Sequence, residues 1–136
     1  MARETPFKSI LVGLALLAGL ATASTGFAES RGRVSFAEDI YPILSFRCMD
    51  CHKPGGDGFE ASGLDLQTYE GLMKGMKVQG SDEYAPVIVP RSALTSNLNR
   101  MVEGKTAIRM PHNKRRLTRC EIEILNNWVN QGAKNN

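Results

Sequence analysis

The sequence is short of metal ligands and of extremes. It holds three cysteines and two histidines in 136 residues. A structural zinc site takes four ligands, usually from two pairs, and after Cys48 and Cys51 no second pair follows. No internal repeat is present, which leaves out the stacked architectures. No segment asks for a β-sheet, so a thioredoxin-like reading of Cys48 and Cys51 lacks the βαβ context it needs. The N-terminal apolar run, Ile10 to Ala21, is 12 residues long. Spanning a bilayer takes roughly 20. There is no twin-arginine pair, and no cysteine lies near the candidate cleavage sites to carry a lipid. The formal net charge is +3, too small to mark nucleic acid as a partner.

What is present begins with an export signal. Arg3 and Lys8 precede the apolar run, and small residues follow it. Ala21-Thr22-Ala23 and Gly26-Phe27-Ala28 are candidate cleavage sites, so residues 1–28 are expected to be a secretory signal peptide, cut after Ala23 or Ala28. The alternative is an uncleaved segment that holds the protein at the membrane. After cleavage no membrane span is expected, and the protein is placed in the periplasm or secreted from a bacterium. Residues 29–34 read as a flexible polar leader, and 35–136 as a single domain.

The centre of that domain is Cys48-Met49-Asp50-Cys51-His52, a C-x-x-C-H sequence. Two thiols at this spacing can each add to a vinyl group of one porphyrin, and the adjacent imidazole can ligate its iron. Chance predicts about 6 × 10⁻⁴ such matches in a chain of this composition. A disulfide across two residues would be strained and would leave His52 without a part. The cofactor expected is one covalent haem c. In bacteria the thioethers are made outside the cytoplasm, so the export signal and the motif support each other independently.

The flanking segments read as helices and loops. Ser35-Phe36-Ala37-Glu38 is a capping box, S-x-x-E, ahead of an apolar face of Phe36, Ile40, Ile43 and Leu44. Pro42 bends that helix or marks a short first segment. Residues 53–58 are loop by composition, Leu64 and Leu66 lie in an extended piece, and Thr68 caps a short helix that Gly75 ends. Residues 80–84 form a polar turn. Pro86 to Pro90 is extended rather than a central strand. Ala93 to Val102 reads as a helix capped by Ser92, with Leu94, Leu98, Met101 and Val102 buried. Thr118-Arg119-Cys120-Glu121 is a second capping box. It opens a helix whose Ile122, Ile124, Leu125, Trp128 and Val129 share one arc and which stops at Gly132. Cys120, the thiol left over, reads as a half-buried small hydrophobe on the flank of that arc, the alternatives being a reactive thiol or an intermolecular disulfide.

A haem bound through His52 has a second iron face. Met110 is the candidate ligand: it is distant in sequence, it lies in a loop, and Pro111 stiffens the backbone after it. His112 is the runner-up, and a five-coordinate iron the remaining case. Arg109, Lys114, Arg115, Arg116 and Arg119 crowd around Met110 in sequence. They form either an ordinary solvated surface or a basic rim that steers an acidic redox partner. Arg109 is first among those that can pair with haem propionates.

These residues together resemble the planctomycete-type cytochrome c domain, one of the monohaem c-type cytochromes. Phe36, Asp39-Ile40 and Pro42-Ile43-Leu44 lead into the Cys48, Cys51 and His52 motif. Gly63-Leu64-x-Leu66 and Ile88-Val89-Pro90 fit the family's middle. Ser96-x-Leu98, Arg109-Met110-Pro111, Leu117, Glu121-Ile122, Leu125, Trp128-Val129 and Gly132-Ala133 fit its close. Two positions depart: His112 stands where a second proline is frequent, and Arg91 where glycine is. The resemblance implies an all-α, cytochrome c-like fold with crossing first and last helices, a haem wedged among helices and loops, and His52 and Met110 as axial ligands. The expected function is single-electron transfer between redox partners, without enzymatic activity. The alternative is a haem-based sensor or small-ligand-binding module in which the methionine ligand is displaceable or absent.

Overall fold

A computed structural model describes residues 32–136. The expected signal peptide and the start of the leader, through residue 31, lie outside the described residues. Residues 32–34 run beside the C-terminal end, where Val34 N–H donates to Gln131 Oε1 at 2.8 Å and Gln131 Nε2 donates to the Gly32 carbonyl at 3.3 Å.

Chain order is a one-turn π-helix, Phe36–Ile40, running into α1 (Tyr41–Arg47), then α2 (Asp57–Ser62), α3 (Tyr69–Lys74), β1 (Met76–Lys77), β2 (Tyr84–Ala85), α4 (Asn97–Glu103) and α5 (Arg119–Asn130). Ser35 caps the first helix, its Oγ accepting from Glu38 N–H at 3.2 Å. The return bond comes from Asp39, whose Oδ2 accepts from Ser35 N–H at 2.8 Å; Glu38 does not make it. Pro42 occupies the first turn of α1, where an absent donor costs little. Phe36, Ile40, Ile43 and Leu44 are all buried, as their spacing predicts.

The fold is not purely helical, and the expectation of an all-α domain is corrected on this point. Met76 pairs with Ala85 and Lys77 with Tyr84 in a small antiparallel ladder. Gly80, at φ 81°, helps the intervening polar turn reverse the chain. Gly75 lets the two backbones meet, since a Cβ there would lie 2.0 Å from the Ala85 carbonyl oxygen. Lys74 Nζ sits 3.9 Å from the centre of the Tyr84 ring and fastens the pair further. Strands of two residues are too short to show a period in sequence.

Two helices also differ from their reading. α2 lies where loop composition extends to residue 58, and it ends at Gly63 in the left-handed conformation. α4 starts at Asn97, not Ala93. The cause is Ser96, which is fully buried. Its Oγ accepts from Val89 N–H at 2.8 Å and donates to the Ser92 carbonyl at 2.8 Å. Those bonds hold residues 92–96 in turns, so Leu94, expected inside, is 74% exposed. Arg91 adopts φ 69°, the left-handed region where glycine is easier, at the position where the resembling family often has glycine.

α5 carries both halves of its capping box. Its Leu125, Trp128 and Val129 are buried, while Ile122 and Ile124 pack partly covered against the same core. Trp128 meets Phe36 from the first helix at 5.7 Å between ring centres, and Tyr69 from α3 stands edge-on to both. Trp128 Nε1–H donates to the Lys134 carbonyl at 3.0 Å, and the Tyr69 hydroxyl to the Ala133 carbonyl at 2.8 Å. This aromatic cluster joins the two ends of the domain and leaves the middle of the chain to enclose a cavity.

Candidate haem site

The cavity is about 610 Å³, within the range of cofactor pockets. Its wall is largely apolar and includes buried aliphatic side chains from α1, α4, α5 and the extended segments, among them Leu44, Leu66, Val87, Leu98 and Leu125. Cys48, Cys51, His52 and Met110 all line it. The sequence places these four as far as 62 positions apart, and the fold brings them to one space.

Local hydrogen bonding explains how the motif is presented. α1 ends with Cys48 N–H donating to the Leu44 carbonyl at 2.9 Å. The chain then curls on itself, with Cys51 N–H and His52 N–H both donating to the Cys48 carbonyl, at 3.2 and 3.0 Å. α2 and the strand-like piece after it close over the turn. Phe59 N–H reaches the Cys51 carbonyl at 2.8 Å and Leu66 N–H the His52 carbonyl at 2.9 Å. Satisfying the carbonyls this way lets the loop sit against the apolar wall without orphaned backbone.

Gly58 makes room for the imidazole. A Cβ at that position would lie 2.9 Å from His52 Cε1 and 3.0 Å from Nε2. Gly58→Ala is therefore expected to displace the ring. The predicted cost is about 1–3 kcal/mol of stability in urea unfolding, with a shifted Soret maximum if haem is bound. Wild-type stability together with a wild-type spectrum would show that the ring needs no such space.

The electrostatics favour neutral ligands. Burial pushes the Cys48 thiol up to about 11, although Arg47 and Lys114 pull the other way. The group is thus a thiol at neutral pH. Burial also holds His52 below its ordinary value, opposed by the Leu64 carbonyl beside it. A neutral imidazole is the form that binds iron. His52 Nδ1 is buried without a hydrogen-bond partner among the described residues. An apolar cavity flanked by two thiols, one neutral imidazole and a thioether fits a covalently held haem better than a bare ion. Among the described residues no group of three or more His, Cys, Asp or Glu side chains is placed to hold a metal ion.

Three methionines, Met76, Met101 and Met110, reach the cavity lining. Met101, read from sequence as core filler, is there because α4 presents it to this space. Met110 is tied to it through Met110 N–H to the Met101 carbonyl at 3.2 Å. His112 and Asn113 lie at the same wall.

The basic residues do not form one patch. Lys114 lines the cavity and pairs with Asp50 at 2.9 Å. That bond lowers the Asp50 pKa and raises that of Lys114. Arg119 pairs with Glu123 one helical turn on, at 3.4 Å. Arg115 and Arg116 are exposed. Arg109 is turned toward Gly104, where a Cβ would lie 2.8 Å from its guanidinium carbon, and it does not line the cavity. The cation at the wall that sequence reasoning passed over is Arg47, paired with Glu121 at 2.8 Å. Its only signal was adjacency to Cys48. Cys120, expected half-buried, is exposed, because the first turn of α5 faces it outward from the apolar arc.

Residues 48–113 match the family model described as Planctomycete cytochrome C. No curated protein and no solved structure matches the chain. The matched span opens on Cys48 and closes just past Met110-Pro111, so it holds both thiols, the imidazole and the thioether that line the cavity. Over those residues, just under half of the chain, the sequence is similar to a planctomycete-type cytochrome c domain, and the likeness points to a haem-binding, electron-transferring role.

Proposed function

We propose that the protein is an exported monohaem c-type cytochrome, an electron carrier rather than an enzyme, whose iron is ligated by His52 and Met110. One observation carries the reading: two thiols, the imidazole that follows them and a thioether line a single apolar cavity of about 610 Å³. The haem, when bound, supplies a one-electron Fe(III)/Fe(II) couple. Each residue then has a role. Cys48 and Cys51 would hold the ring covalently, each thiol adding S–H across one vinyl group. His52, seated beside Gly58, would ligate the iron. Met110 would ligate it as well, and a thioether favours the ferrous state. Leu44, Leu66, Val87, Leu98 and Leu125 exclude water. The exposed Arg115 and Arg116 contribute to a docking surface for an acidic redox partner, in the periplasm.

Co-expression with a bacterial haem-maturation system tests this. The colour is expected to stay with the polypeptide after denaturation. Thiol titration with an aromatic disulfide reagent is expected to find a single reactive group, Cys120, in both native and denatured protein, because Cys120 alone is exposed and the other two would be consumed. Three reactive thiols in the denatured chain would refute covalent attachment.

A further inference from the structure

The cavity wall carries a largely covered ion pair for which the proposed ligands have no use. Arg47, the last residue of α1, donates from Nε to Glu121 Oε1 at 2.8 Å and from Nη2 to Oε2 at 3.1 Å. The two side chains keep only 14% and 19% of their exposure. Glu121 is fixed from its other side, where Oε2 accepts from Thr118 N–H at 2.6 Å. The pair is therefore rigid, bidentate and largely withdrawn from water. Its two members are not equivalent. Arg47 lines the cavity beside Cys48, whereas Glu121 is not part of the lining. The cation faces the space, and the carboxylate stands behind it. Lys114, the other cation on this wall, has its own carboxylate in Asp50.

We infer that Arg47 and Glu121 exert opposed and nearly balanced effects on the reduction potential of the haem held in this cavity, with Arg47 favouring the reduced iron and Glu121 restraining that effect. The inference rests on the haem reading above. Reduction adds one electron to the iron and removes one unit of positive charge from the site, with no bond made or broken. A cation in a poorly hydrated wall therefore disfavours the oxidised form, and an anion there favours it. Taken alone, each member moves the equilibrium in its own direction; together they largely cancel.

The test is a spectroscopic redox titration of the holoprotein at neutral pH. In Glu121→Gln the reduced-to-oxidised ratio at fixed potential is expected to rise about tenfold, which for a one-electron couple is 59 mV. Glutamine can still serve the capping box, so α5 keeps its start. In Arg47→Gln the ratio is expected to move the opposite way. Arg47→Lys should stay near wild type, and the double variant should return to within about threefold of it. A purely structural clamp between α1 and α5 predicts something else: both single variants lose stability in urea while the potential stays put or shifts in one common direction. That result overturns the inference. If Glu121→Gln does not fold, Arg47→Gln against Arg47→Lys still decides the sign. Colour lost on denaturation overturns the haem reading, and this inference with it. A covalently coloured protein whose single variants fail to move in opposite directions overturns the inference alone.

Discussion

Met110→Ala is expected to abolish the far-red sulfur–iron charge-transfer band of the oxidised holoprotein. It is also expected to lower the potential by something on the order of 0.1 V, within the roughly 0.8 V that axial ligands span. The reason is chemical. A thioether is a soft donor that stabilises ferrous iron, and its loss leaves His52 with water or an open position. The experiment has real rivals to exclude, since Met76 and Met101 also line the cavity. Met101→Ala and Met76→Ala should keep the band and shift the potential little. Should the band persist without Met110, the ligand is one of these two. Should the wild type have no band, a histidine ligand such as His112 or an open iron replaces the proposal. Carbon monoxide binding by the reduced wild type would then favour a ligand-binding role.

Trp128→Ala is expected to cost about 3–5 kcal/mol, the usual range for deleting a large buried aromatic. Small domains have only about 5–15 kcal/mol in hand. Trp128 is 1% exposed, and its ring lies against Phe36 and Tyr69, so the loss reaches the first helix and α3 together. It also deletes the bond to the Lys134 carbonyl. Trp128→Phe should cost markedly less, because it keeps an aromatic ring between the others. Urea unfolding followed by far-ultraviolet circular dichroism measures both variants. A loss under about 1 kcal/mol for the alanine variant would mean that the cluster collapses around the gap and that the ends of the domain are held elsewhere.

The two predictions draw on different kinds of information. Met110 was singled out by position and by the proline after it, yet only the folded chain shows that two further methionines reach the same cavity. Met101 looked like core filler because helical spacing reports which face is covered, not whether the cover is protein or a cofactor space. Trp128 was legible from its place on a strongly amphipathic face, but its partners Phe36 and Tyr69, 92 and 59 residues away, were not. The basic residues illustrate the same limit. Five cations near Met110 suggested one rim, whereas Asp50 and Glu123 neutralise two of them and Arg109 turns to Gly104.

Features with short-range causes were readable from the chain alone. The thiols and imidazole of Cys48, Cys51 and His52 have their chemistry written in their spacing. The caps at Thr68 and Thr118, the stops at Gly75 and Gly132 and the buried stripes of the first and last helices follow from contacts within a few residues. The rest needed the tertiary structure, because its causes lie far apart along the chain. Only there does the buried Ser96 hydroxyl delay α4 by holding Val89 and Ser92. Only there does the close approach of Gly75 to Ala85 permit a strand pair in a domain expected to be all helix. Arg47, silent in sequence, becomes the cation of the cavity wall once α5 brings Glu121 to it.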